Sequence, residues 1–338
     1  MTQQAARPAP TAGTPPASAR QTTRTWGAIG VALWLVYLAL VVLLPDAAGA
    51  LTAPHGPLLI VGGALTAGLA AWVGTAVARP SSDAAAALAH RLPWIVFGGA
   101  WFIVWQLTTA KSNLLKPPYF ASPEVLLQAL GSDWRLLVTC LGSSALLFLT
   151  GYAIGSAAGF VTGLLMGWSH RADYWLHPLL QTVGPVPAAA LLPLAVLLLP
   201  TTYLSAAFIV AFGAWFPMAT MTRAGVRAVP RTYIDVARTL GADQSFLIRR
   251  LAIPAALPDV LTGLFTGLGT SLAALMTAEL VGVDRGLAWY INWVKGWADY
   301  PKMYVGLVVL IVFCRALMVL LFKLRSSLLA WQQDLVRW

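Results

Sequence analysis

Charge is scarce in this chain. Asp, Glu, Lys and Arg make up 10% of its 338 residues and hydrophobic types 59%, whereas a water-soluble domain gives about a quarter of its residues to charge. A soluble globular fold is therefore excluded, and the chain needs lipid. Cysteine is scarcer still. Cys140 and Cys314 both sit in apolar runs, neither in a CxxC pair, and read as small buried hydrophobes. His55, His90, His170 and His177 show no HExxH or similar spacing, so metal binding has little support. There is no GxxxxGK[ST] phosphate loop and no Gly-Lys dipeptide at all, so any nucleotide hydrolysis must come from another polypeptide.

What the chain does have is long apolar runs. A spanning helix takes roughly 20 mostly apolar residues, because lipid offers no partner for a backbone N–H or C=O. Eight such helices are predicted, at about 26–45, 57–78, 93–110, 136–167, 176–199, 203–224, 256–283 and 303–322, with re-entrant breaks allowed. Residues 1–25 are rich in Pro, Ala, Thr and Gln and cannot bury enough apolar surface to fold. A disordered tail is expected there, and not a signal peptide, since the first apolar run is long enough to span.

The net charge of +10 would suit nucleic acid, but its distribution favours a topological explanation. With the N-terminus in the cytoplasm, sixteen of the 22 basic residues fall on the cytoplasmic side and six on the other. The positive-inside rule thus predicts a multi-pass protein of the inner membrane with both termini cytoplasmic. The polar stretch Arg79-Pro80-Ser81-Ser82-Asp83 marks a boundary, dividing two helices and a linker (26–92) from a six-helix domain (93–338). Outside, Lys116-Pro117-Pro118 reads as extended chain, and Ser122-Pro123-Glu124 as the capped start of a short amphipathic helix. Trp289, Tyr290, Trp293 and Trp297 form either an interfacial aromatic belt or a partner contact.

Inside, residues 224–255 are the longest interruption between spans. Tyr233, Val236, Ala237 and Leu240 fall at i, i+3, i+4 and i+7, so one face of a short helix is apolar. Gly241 can end it in the left-handed region, and Asp243 can cap a second short helix carrying Phe246, Leu247, Ile248 and Leu251, with Arg249 and Arg250 exposed. Pro254 and Pro258 bracket the next span. From pattern alone the pair is either a solvated connector or a lever gripped by another protein.

Asp235-Val236-Ala237, three residues, Gly241, nine residues, then Leu251-Ala252-Ile253-Pro254 resembles the "EAA, three, glycine, nine, I-x-L-P" signature of ABC importer permeases. Asp235 replaces the usual Glu, and Val236, Leu251 and Ile253 replace other apolar residues. Further segments are similar to the nitrate, sulfonate and taurine permeases: Gly184-Pro185-Val186-Pro187, Ala278-Glu279-Leu280, Gly286-Leu287-Ala288-Trp289 and Leu335-Val336-Arg337-Trp338. The resemblance spans about residues 93–338 and leaves the first two helices without a role.

It implies an all-α helical bundle with a type I importer core of six helices. Coupling helices at about 231–250 would meet a separate ATPase through Tyr233, Asp235, Ala237, Leu240, Gly241, Arg249 and Pro254. It also implies the partners: two ABC ATPase subunits holding ATP and Mg, a periplasmic binding protein that docks on segments 111–135 and 284–302, and a second permease subunit in a homodimer. The chain itself would bind no cofactor, metal or nucleic acid, and would move a small anion through lipid.

Three further features are read with alternatives. Gly151, Gly155, Gly159, Gly163 and Gly167 recur every fourth residue, and Gly263 and Gly267 repeat the spacing. Such stripes allow close helix approach, within the subunit or across a dimer. Gly184, Pro185 and Pro187 interrupt a span and either kink it or line a path. Glu279 and Arg315 lie in apolar runs, where an ionisable group has either a structural role or one in the pathway. An ion-driven secondary carrier would be expected to show internal repeats and intramembrane acids, and Glu279 is the lone deep acid in view. An integral membrane enzyme would need a catalytic cluster, which this sequence does not supply.

Overall fold

A computed structural model describes residues 17–78 and 83–328. Among them there are helices and no strands, as expected where every backbone polar group must be satisfied within its own segment. Seven helices among the described residues are long and apolar enough to cross a membrane, and a bent pair forms an eighth candidate span. The chain is a multi-pass membrane protein.

In order, the elements are α1 (Ala17–Leu43), α2 (Gly56–Ala78), α3 (Asp83–Gln106) with a π turn (Leu107–Lys111), α4 (Pro123–Trp168) and α5 (His170–Val183). A 3-10 turn (Ala188–Leu191) leads into α6 (Leu192–Leu198) and α7 (Thr202–Arg227). Then come α8 (Arg231–Thr239), α9 (Gln244–Phe246) with a π turn (Leu247–Ala252), α10 (Ile253–Gly282), α11 (Leu287–Gly296) and α12 (Tyr300–Leu328).

Two boundaries differ from the sequence expectation. Of the tail expected at 1–25, residues 1–16 lie outside the described residues, but α1 begins at Ala17. Ala, Arg and Gln are good helix formers, and a helix nucleated in the apolar run extends through them cheaply. The short helix expected after Ser122 is the first turn of the 46-residue α4. A lone Gly131 costs only about 1 kcal/mol, and no proline follows Pro123 within the helix. Ser122 does precede it, but its hydroxyl is buried without a hydrogen bond, so it makes no cap. The linker residues Arg79–Ser82 and the terminal Leu335–Trp338 lie outside the described residues.

The chain divides into two compact units. The first comprises residues 1–133 with 298–302. In it α3 packs with α1 and α2: Tyr37, Val41 and Leu58 form a core with Trp34, Phe102 and Leu127, and Ala76, Leu88 and Leu92 form a second. Lys111 closes the C-terminal end of α1. Its Nζ donates to the carbonyls of Val41 (3.0 Å) and Leu44 (2.6 Å) and to Asp46 Oδ1 (2.8 Å), answering acceptors that a helix end leaves unpaired.

The second unit, residues 134–297 and 303–338, is organised around α7. All five glycines of the α4 stripe face it. A Cβ on Gly159 would stand 2.6 Å from the Trp215 carbonyl, one on Gly163 2.5 Å from that of Ala219, and one on Gly155 would overlap the backbone of Ala211. Gly151 and Gly167 meet Val210 and Val226 in the same way. On its other side α7 meets α10, where Gly263 lies against Met218 and Gly267 against Ala214. Thr270 Oγ1 donates to the Gly213 carbonyl at 2.6 Å, and Ser271 Oγ to that of Val210 at 3.0 Å. The stripe therefore packs within one subunit.

Replacing Gly155 with Leu should separate α4 from α7 and lower stability by about 1–3 kcal/mol or more. Gly142, in the same helix with open space at its Cβ position, should accept Leu within about 0.5 kcal/mol. Thermal unfolding in detergent distinguishes the two, and equal loss in both variants would remove the packing explanation.

Candidate functional site

Two features of the second unit bear on function: the α8 turn and a cavity beside the broken span. Helix α8 starts after Pro230, whose fixed φ suits the position. It ends in a Schellman motif, with Gly241 N–H donating to the Arg238 carbonyl at 2.9 Å and Ala242 N–H to that of Ala237 at 3.0 Å. Gly241 has φ +84°, a conformation that costs other residues about 1–2 kcal/mol. Asp243 then caps the next helix, accepting from Phe246 N–H at 2.9 Å.

No residue of α8 is buried. Tyr233, Val236 and Leu240 expose 62, 55 and 82% of their surfaces, so the predicted apolar face exists and is bare. Asp235, Arg249 and Arg250 are exposed around it, while Ala237 is half-buried. The second short helix is not separate. It passes through the π turn into α10, giving one stretch, Gln244–Val281, of 38 residues. The wider turn ends where Pro254, which has no N–H for the carbonyl of Arg250, joins the helix.

In the cavity, α5 and α6 form a span bent by 90° at Gly184-Pro185-Val186-Pro187. Pro185 and Pro187 can donate no backbone hydrogen bond, and Gly184 lies so close to Phe216 that a Cβ there would overlap the ring. The bend, Phe212–Pro217 of α7 and Thr270–Thr277 of α10 line a half-open cavity of about 390 Å³. Its lining side chains are neutral, with the hydroxyls of Thr270 and Thr277 among phenylalanine, proline, valine and alanine. Gly184, Pro185 and Pro187 lie in its wall, whereas Glu279 and Arg315 do not. Arg315 is exposed on α12.

Glu279 is wholly buried. Its carboxylate accepts from Ser144 Oγ at 2.5 Å and from Ala288 N–H at 2.8 Å, and Ser144 Oγ accepts in turn from Leu287 N–H at 2.8 Å. Glu279 thus caps the start of α11. The approach requires Gly286, since a Cβ there would lie 2.5 Å from Glu279 Oε2. Sequence reading did not find Ser144, because a serine in an apolar run carries no signal of its partner. Nor did it find Asp173. That residue receives Arg223 Nε at 2.6 Å and Arg227 Nη2 at 2.5 Å, tying α5 to the end of α7. The i, i+4 spacing of the two arginines was visible, but the acid they share was not. Among the described residues no group of three or more His, Cys, Asp or Glu could hold a metal ion.

Ser144→Ala strands both a carboxylate oxygen and a backbone N–H. It should cost about 1–3 kcal/mol in thermal unfolding and leave transport per folded molecule close to wild type. A stable variant that no longer transports would contradict a purely structural role for this cap.

Residues 151–330 match the family described as the binding-protein-dependent transport system inner membrane component. The chain is 31% identical over 184 residues to an aliphatic sulfonates transport permease protein, SsuC, of Bacillus subtilis, covering 54% of this chain and 67% of that one. It is 24% identical to the formylaminopyrimidine transport permease protein ThiX of Halalkalibacterium halodurans, covering 68% and 92%. With the bicarbonate transport system permease protein CmpB of Synechococcus elongatus it shares 30% identity over 54% and 64%. Helices α1–α3 lie outside the family match. The chain belongs to the family of binding-protein-dependent transport inner membrane components, the permease subunits of ABC importers, and is a transport component rather than an enzyme.

Proposed function

We propose that this permease takes a small solute, an oxyanion or compact organic acid of the nitrate, sulfonate or taurine kind, from a periplasmic binding protein. It passes the solute through the cavity at Gly184–Pro187, driven by two ATPase subunits that grip α8. Both termini then lie in the cytoplasm, and a second copy of the chain completes the path. The observation that carries this reading is the bare face of Tyr233, Val236 and Leu240, presented on a helix whose end is set by Gly241. An apolar helical face of this kind is the type that lies in a partner's groove, and the surrounding Arg238, Arg249 and Arg250 suit an acidic rim.

The relatives named for sulfonates and bicarbonate support an anionic solute. A neutral cavity wall suits passage rather than storage. An anion finds hydroxyls and backbone there but no fixed opposite charge to hold it, and conduction requires sites weak enough to leave.

ATP, Mg and the hydrolytic step belong to the partner subunits. This chain's part is to receive displacement at α8 and move the cavity walls. Gly241→Val forces a branched side chain into the left-handed region. It should leave membrane insertion unchanged and reduce ATPase co-purification and ATP-driven uptake into proteoliposomes by roughly tenfold or more. Undiminished co-purification and uptake in this variant would exclude α8 as the coupling element, and uptake without any ATPase would exclude the importer mechanism.

A further inference from the structure

Among the described residues of the first unit, four fully buried side chains each hold an oxygen bonded to nothing: Tyr37 Oη, Gln106 Oε1, Ser122 Oγ and Glu124 Oε2. Each belongs to a residue that is 98% buried or more. They come from three segments that are directly tied. Gln106 Nε2 donates to Glu124 Oε1 at 3.0 Å, and Trp105 Nε1 to the Ala121 carbonyl at 3.0 Å. Tyr37 packs on Phe102 at 5.7 Å between ring centres, in the cluster that also takes Leu127, and the Glu124 carboxylate acts electrostatically on its hydroxyl.

The orientation of the Gln106 amide is not free. Turned over, it would set oxygen against carboxylate oxygen, so Oε1 must be the atom left without a partner. A buried carboxylate without a counter-charge is strongly unfavourable. Lys111, the buried cation of this unit, is already committed to Asp46 and two carbonyls. A water molecule would serve the hydrogen bonds and leave the charge. A proton on Glu124 would remove the charge, yet none of the three O–H groups then present has another of these oxygens as a hydrogen-bond partner. A small cation answers both needs. A divalent ion would leave a surplus positive charge, whereas a set made only of oxygen, with one carboxylate, suits a hard monovalent ion.

We propose that Tyr37, Gln106, Ser122 and Glu124 hold one dehydrated monovalent cation of sodium size, joining α1 and α3 to the first turn of α4. The site makes the two additional helices part of a sodium-stabilised unit, independently of how the transporter is driven or what it carries.

The assembled transporter, purified in lipid nanodiscs and exchanged into choline chloride, provides the test, with radioactive sodium as the probe. Saturable binding approaching one ion per chain is expected, competed by lithium but not by choline and accompanied by a rise in unfolding temperature. Glu124→Gln should abolish it. Tyr37→Phe, which removes a single oxygen and keeps the aromatic packing, should weaken it roughly tenfold or more, and decides the matter if the first variant does not assemble. No saturable sodium binding by the wild type, or equal binding by wild type and Tyr37→Phe, overturns the proposal.

Discussion

The approach of α4 to α7, backbone against backbone, is the constraint from which the second unit follows. Lipid tails are as apolar as leucine, so helices in a membrane gain nothing from simply hiding hydrophobic surface from each other. They associate through close packing, each atomic contact contributing about 0.1–0.2 kcal/mol. Five glycines over four turns of α4 remove the side chains that would hold the axes apart, and the carbonyls of Ala207, Ala211, Trp215 and Ala219 occupy the space. With one side of α7 so engaged, Gly213 and the glycines of α10 give its opposite side a similar contact. The cavity lies at the edge of this three-helix stack, where the bend at Gly184–Pro187 abuts it.

Polar groups act as joints between elements. Glu279 and Ser144 bind the start of α11 to α10 and α4, and Asp173 binds α5 to α7 through two arginines. In the first unit, Lys111 performs the same task for the end of α1. Each joint satisfies groups that hydrocarbon would leave stranded, which makes each geometrically demanding. Their positions differ from those of the cavity wall, which is neutral and held together by hydroxyl-to-carbonyl bonds such as that of Thr270.

Much of this was legible in the sequence. The spans follow from the lengths of the apolar runs, and the four-residue glycine spacing announced close packing. The Gly241 and Asp243 caps could be placed to the residue, because capping depends on local chemistry that a few neighbours determine. What stayed hidden depends on distant partners. That Ser144 meets Glu279, 135 positions away, or that Asp173 meets Arg223, is settled by tertiary packing. Continuity was also misjudged. The pattern divided Ser122–Leu127 from α4 and Gln244–Leu251 from α10, since proline and polar residues mark breaks. The structure instead carries the helix through, using a π turn ahead of Pro254. The bend at 184–187 was readable as an interruption, and its partners Phe212 and Phe216 were not.

The unbroken run from Gln244 to Val281 has a mechanical consequence. At 1.5 Å per residue its 38 residues make a strut of about 57 Å, seated at one end beside the bare face of α8 and clamped at the other to α11 by Glu279. Thr270 to Thr277, which form one side of the cavity, lie along its length. A strut fixed to a cap at each end yields little by compression. Displacement applied at its Asp243 foot must appear as tilt or rotation, and either one sweeps these two turns past Pro185 and Phe216. The chamber and the distant edge of α11 would then change in step, as parts of one swinging member.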